Sequence, residues 1–160
     1  MQLTHYITPK EIIVPLKGTT KEAVYKELVR YLADKHHIRD KDKLLSAILE
    51  REASASTFLP IGVAIPHARI PSVEDIMLIM GVTSAAIKDT AKDSAPLTAN
   101  VFCMFFSPTE DKEFGRHLKL LARIAAVFSD TKLVPELAKL KSAEAVFERI
   151  QRREREMSEE

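Results

Sequence analysis

Two imidazoles, His67 and His117, and one guanidinium, Arg51, are the side chains whose types and places in this sequence suit chemistry. His67 directly follows Gly62-Val63-Ala64-Ile65-Pro66, where a short apolar run opened by glycine reads as a buried strand. Pro66 lacks an N–H, fixes its own φ and biases Ile65 toward extended backbone. Sheet pairing is therefore expected to end there, with His67 the first residue off the strand. In open α/β sheets the crevice beside strand ends is where ligands bind. The alternative is a hydrogen-bonded loop histidine. Arg51 lies three residues beyond Ile48 and seven beyond Leu44, so it is expected to extend their buried stripe at the end of a helix. Offsetting the negative end of that helix, worth about 0.3–1 kcal/mol, is the plainer role for it. His117 shares a face with Leu120 and Leu121 and should look inward from the start of another helix. A satisfied, semi-buried histidine is the alternative there.

Together the three groups suit one reaction. An imidazole with an ordinary pKa of about 6.5 is largely neutral at pH 7. It can attack phosphorus through one nitrogen once a hydrogen bond to the other fixes the tautomer. The product carries excess negative charge, which a guanidinium fork and a second imidazole at a helix N-terminus would both stabilise. A metal site built from His67, His117 and Cys103, or from His36 and His37, is a rival. Adjacent histidines diverge, no second cysteine exists and ligand spacing is absent, so neither a metal nor a cofactor is expected.

The elements that must hold these groups follow from periodicity. Ile12-Ile13-Val14 reads as a short edge strand closed by Pro15. Thr19 and Glu22 have capping-box spacing, and Val24, Tyr25, Leu28, Val29 and Leu32 then line one side of a helix through about Asp34. Asp40 or Asp42 can cap a second helix carrying Leu44, Leu45, Ile48 and Leu49. Ile76–Met80 and Val101–Phe106 show neither alternation nor helical period and read as strands covered on both faces. A polar connection, Lys88–Ser94, runs between them. Thr109–Gly115 is expected as a charged loop, with a helix starting near Phe114–His117. On that helix Leu118, Leu121, Ala125 and Phe128 form one stripe, widened by Leu120, Ile124 and Val127. Asp130 can cap a short helix over Leu133–Leu140, and Ser142 begins a last one that buries Val146, Phe147 and Ile150. Long helices over two faces of a small mixed sheet predict a three-layer α/β/α sandwich. Residues 1–150 are expected as its single domain, and 151–160 as a charged, frayed tail.

Length and charge agree with this. The 160 residues suffice for a core without staples. A formal net charge of +1, from 24 basic and 23 acidic residues, gives no field for nucleic acid or a membrane surface. One cysteine allows no internal disulfide, and neither a membrane span nor a signal peptide is seen. A cytoplasmic protein is expected.

The sequence resembles the enzyme IIA proteins of the fructose/mannitol type in the bacterial phosphoenolpyruvate-dependent phosphotransferase system, including their nitrogen-regulatory branch. The likeness spans roughly residues 5 to 150 and is carried by Leu49-Glu50-Arg51-Glu52, Ser56-Thr57, Gly62-Val63-Ala64-Ile65-Pro66-His67, His117-Leu118, Leu121-Ala122 and Asp130. It implies that His67 accepts a phosphoryl group from the phosphocarrier HPr or its nitrogen-branch relative, and passes it to a IIB domain. Arg51 and His117 would be phosphate-stabilising neighbours, and the sheet a mixed one with helices on both faces. Where the family has glycine-x-glycine before the strand, this chain has Pro60-Ile61-Gly62; Ala68 follows the histidine where glycine is frequent, and Phe58 replaces a small residue. Arg69 keeps a basic charge nearby, with a solvated surface arginine as the plainer reading. A rival function on the same fold is a regulatory module whose phosphorylation or mere presence tunes a transporter or sensor kinase. The lack of a IIB or IIC segment in these 160 residues inclines toward regulation.

Overall fold

Two runs that sequence pattern marks as buried on both faces become the centre of the sheet. The computed structural model describes residues 1–91 and 97–159, and in it β4 (Met77–Lys88) and β5 (Thr98–Ser107) pair antiparallel, Leu78 facing Phe105 and Met80 facing Cys103. β1 (Ile12–Ile13) joins the outer side of β4 in parallel and forms one edge. β2 (Val63–Ala64) and β3 (His67–Arg69) lie in parallel along the other side of β5, which makes the sheet mixed.

Side chains alternate across β5. Phe102, Met104 and Phe106 pack against α1 (Lys21–Lys35) and α2 (Lys41–Ser54), while Val101, Cys103 and Phe105 pack with α3 (Asp111–Val127), α4 (Leu133–Ala138) and α5 (Ala143–Ser158). Helices thus cover both faces, in the expected three-layer α/β/α arrangement, and apolar residues on both sides explain why the strands show no polar alternation.

Several boundaries move. Thr20, not Thr19, caps α1, its side chain accepting the Ala23 N–H at 3.2 Å. Asp40 caps α2 and Ser142 caps α5 as expected, each accepting from the N–H three residues on. α3 begins at Asp111, so Phe114 and Gly115 are helical and His117 sits in its second turn instead of at its start. Leu118 is 49% exposed, and the buried stripe of α3 is His117, Leu120, Ile124 and Val127. Residues 151–158, expected as a frayed tail, continue α5, because Glu154 turns its carboxylate inward to meet Arg123 and the first residues of the chain. Lys92, Asp93 and Ser94 of the expected polar connection lie outside the described residues.

The largest correction concerns Pro66. β2 and β3 share one register with β5, Val63 facing Val101 and His67 facing Phe105 on either side of the proline. Pro66 lacks the N–H for one ladder bond, but its carbonyl still accepts from Phe105 N–H at 3.1 Å, so the strand is interrupted and then resumes. His67 is therefore inside the sheet's edge and not beyond it.

Candidate functional site

Residues 57–65 fold into a tight hairpin, with Leu59 N–H donating to Val63 O at 2.8 Å and Ile65 N–H to Thr57 O at 3.0 Å. Its turn runs from Leu59 to Gly62, whose N–H reaches back to Leu59 O at 3.3 Å. Pro60 occupies the second turn position, where its fixed φ is compatible with the bend, and Gly62 supplies a φ of 87°. The proline that departs from the resembled pattern thus sits in a turn. The hairpin delivers the chain to His67.

On β3, His67 and Arg69 leave the same face, the one covered by α3. The His67 ring stacks on Phe105 at 5.4 Å between centroids and meets the His117 ring edge-on at 5.2 Å. Both histidines are buried, at 7% and 5% exposure. His67 Nδ1 lies 2.7 Å from the Ile65 carbonyl, which can only accept, so Nδ1 carries the proton and Nε2 keeps a free lone pair. His117 Nδ1 pairs with the Ser107 hydroxyl at the end of β5.

Both rings are held neutral near pH 7. Burial is the main cause that lowers the His67 pKa, with the Arg51 charge adding to it and the Ile65 carbonyl and Glu52 working the other way. His117 is lowered to about 4, through burial first, then because protonating it beside His67 would set two like charges in contact, and then through the Arg69 and Arg51 charges. Two neutral imidazoles in contact, with the Arg51 charge acting on both and the Arg69 charge on His117, form a cluster that can receive an anion and offer a ring nitrogen as a nucleophile.

Arg51 closes α2 half-buried, its Nη1 donating to Ala55 O at 3.0 Å. The residue that extends the Leu44–Ile48 stripe is its neighbour Glu52. Glu52 is buried, receives the Thr57 hydroxyl and N–H, and pairs with Lys21 at 2.9 Å, while Lys21 also binds Asp89 at 2.9 Å. Burial opposes the Lys21 charge, yet the two carboxylates hold its pKa above the ordinary value. This buried network ties the end of α2 to the hairpin before His67, and so braces Arg51 from behind.

The structure therefore brings His67 and His117 into ring contact and sets Arg51 within electrostatic reach of both. Sequence reasoning passed over Ser107, seen there only as a strand end, and Phe105. Arg69's position two residues after His67 on a strand was a readable signal for its shared face. Cys103 is fully buried on β5, and burial pushes its thiol up. Among the described residues no cluster of three His, Cys, Asp or Glu could hold a metal, and no helix is long and apolar enough to cross a membrane.

A family model described as phosphoenolpyruvate-dependent sugar phosphotransferase system, EIIA 2, matches residues 5–153. The chain is 27% identical over 147 residues to a nitrogen regulatory protein of Bradyrhizobium diazoefficiens, covering 92% of this chain and 93% of that one. It is 31% identical over 120 residues to the fructose-specific EIIA component of the phosphotransferase system of Haloferax volcanii, covering 74% and 75% of the two chains. Its fold superposes on the crystal structure of the nitrogen regulatory protein IIA-Ntr from Neisseria meningitidis with a TM-score of 0.77 and 23% identity, over 91% of this chain and 97% of that chain.

Proposed function

From the premise that this chain belongs to the EIIA type 2 family of the phosphoenolpyruvate-dependent sugar phosphotransferase system, we propose that His67 Nε2 is the atom that accepts the phosphoryl group. The observation that carries the reading is the tautomer: with Nδ1–H tied to Ile65 O at 2.7 Å, the Nε2 lone pair is the nucleophile. The donor is a phosphohistidine on HPr or its nitrogen-branch relative. The His67 lone pair forms a new N–P bond as the donor's N–P bond breaks, and the bonding electrons return to the donor nitrogen. The donor ring, protonated on its other nitrogen, leaves as a neutral imidazole, and the His67 ring keeps its Nδ1 proton.

His117 assists without becoming the acceptor. When the Ser107 hydroxyl donates to its Nδ1, the proton of a neutral His117 lies on Nε2, where it can be donated to a phosphoryl oxygen. Arg51 adds a charge whose planar fork matches phosphate geometry. Onward transfer goes to a IIB domain, or the phosphorylation state is itself the signal read by a transporter or sensor kinase. The nitrogen regulatory name of the Bradyrhizobium relative favours the second course.

Incubation with phosphoenolpyruvate, enzyme I and an HPr-type carrier, followed by intact mass, tests this reading. Wild type is expected to gain one acid-labile phosphoryl group and His67→Ala none; equal labelling of the two overturns it.

A further inference from the structure

Arg69 is restrained more closely than a solvated arginine. Its Nε donates to Pro108 O at 3.3 Å and its Nη2 to Glu110 O at 2.9 Å, both in the segment joining β5 to α3. The guanidinium carbon lies 4.9 Å from the centroid of the Phe114 ring. Phe114 in turn stacks on His117 with an interplanar angle of 14°, and His117 meets His67. Contacts thus run from guanidinium to phenyl to imidazole and on to His67.

What Arg69 lacks is an anion. On the same side of the sheet Arg116 pairs with Asp75 and Glu113, Arg123 with Glu154, and Arg149 with Glu136. Among the described residues no carboxylate pairs with Arg69, and its Nη1 makes no hydrogen bond. A guanidinium carries five N–H donors, of which the two carbonyls take two. A cation fixed by neutral carbonyls and an aromatic face, without a counter-ion, keeps its charge available to an anion that arrives beside it. Phe114 is 46% exposed, so burial does not explain its contacts with both Arg69 and His117.

We propose that Arg69 is a phosphoryl-contacting residue, closing its free Nη1 donors on an oxygen of the group carried by His67, and that Phe114 is the positioning residue holding it there. This rests on His67 as the acceptor. Residues two apart on β3 leave the same face, so Arg69 starts from the strand beside His67, and its charge bears on His117. Arg51 would approach from the α2 side, giving the phosphoryl group a cation on each flank.

The test compares wild type, Arg69→Gln, Arg69→Lys, Phe114→Ala and Phe114→Tyr, phosphorylated both by an HPr-type carrier and by phosphoramidate, a small donor that needs no protein docking. Phosphorylation rate and the phosphorus-NMR titration midpoint of phosphohistidine are read. Arg69→Gln is expected to slow labelling by about tenfold to a hundredfold with both donors and to raise the titration midpoint, since a cation beside the phosphate is gone. Arg69→Lys should fall between Gln and wild type, and supplies the answer where the Gln variant fails to fold. Phe114→Ala should lose less, and Phe114→Tyr, which keeps the aromatic face, should recover wild-type behaviour. Wild-type rate and midpoint in Arg69→Gln, or a loss seen with the carrier alone, overturns the Arg69 proposal and leaves His67 standing. A wild type that takes no phosphoryl group from either donor overturns both.

Discussion

Glu154 and His67 are both polar groups buried on the α3 side of the sheet, and they are treated in opposite ways. The Glu154 carboxylate receives the N–H groups of Leu3 and Thr4 at 2.8 and 3.0 Å, the Thr4 hydroxyl at 2.9 Å, and Arg123 through Nε at 2.9 Å and Nη2 at 2.7 Å. Five donors leave it nothing further to bind. His67 makes one hydrogen bond through Nδ1, and its other nitrogen stays open. A saturated buried charge ties elements together, here the N-terminus, α3 and α5. A buried base with one free lone pair and a depressed pKa is what the proposed phosphoryl acceptor requires. Buried polarity alone therefore does not mark a functional site; the unfilled valence does.

The contrast is open to being broken. In the largest effects expected, His67→Ala abolishes phosphoryl acceptance while its thermal midpoint stays near wild type. Glu154→Ala does the reverse, losing about 1–3 kcal/mol because the Leu3 and Thr4 N–H groups and the half-buried Arg123 lose their acceptor. Its folded fraction should still label. Urea melts combined with labelling at matched folded fraction check the pair, and a Glu154 variant with native stability would sink the structural half of the comparison.

Acid separates Glu154 from His117, the imidazole in contact with His67, next. The His117 pKa in the folded chain, about 4, lies below its ordinary 6.5, so the unfolded chain binds that proton more readily. Its contribution to stability is complete above about pH 6.5 and is lost as pH falls toward 4. Glu154, whose desolvation is outweighed by the Thr4, Arg123 and Leu3 donors, is lowered from 4.5. Its contribution is complete above that ordinary value and is lost only as pH falls through the lower folded one. Stability measured from pH 7 to 3 should thus decline in two windows. Because His67 is lowered as well, His117→Gln should make the upper window shallower and Glu154→Gln the lower one; a pH profile unaffected by His117→Gln would contradict the assignment.

Smaller effects sharpen the chemical half. His117→Ala should leave His67 able to take the phosphoryl group but slow the step by about a hundredfold, the scale of losing one preorganised donor to developing charge. Peptide mapping that finds the group on His117 would exchange the roles. Arg51→Lys should cost the least. It retains charge at the end of α2 and loses only the fork, so transfer slows by about tenfold at most while the thermal midpoint barely moves. Unchanged stopped-flow kinetics would return Arg51 to its role at the helix end.

Local pattern alone determined much of this protein. Side-chain oxygens at Asp40 and Ser142 announced helix starts because a cap is satisfied within three residues of itself. The runs at 76–80 and 101–106 announced strands buried on both faces because they lack alternation. His117 was legible as inward-facing from the helical period, whereas the Val-Ala-Ile-Pro-His string set His67 apart through its resemblance to the enzyme IIA family. Tertiary structure decided what lies across from each residue. Only pairing with β5 shows that the strand resumes after Pro66, only the inward reach of Glu154 carries α5 to Ser158, and only the network with Lys21 and Thr57 makes Glu52 the buried member of its stripe. The reason is physical. Periodicity records which way a side chain points relative to its own backbone, whereas the contacts of His67 with His117 and of Ser107 with His117 depend on how separate elements pack, and no local spacing encodes that distance.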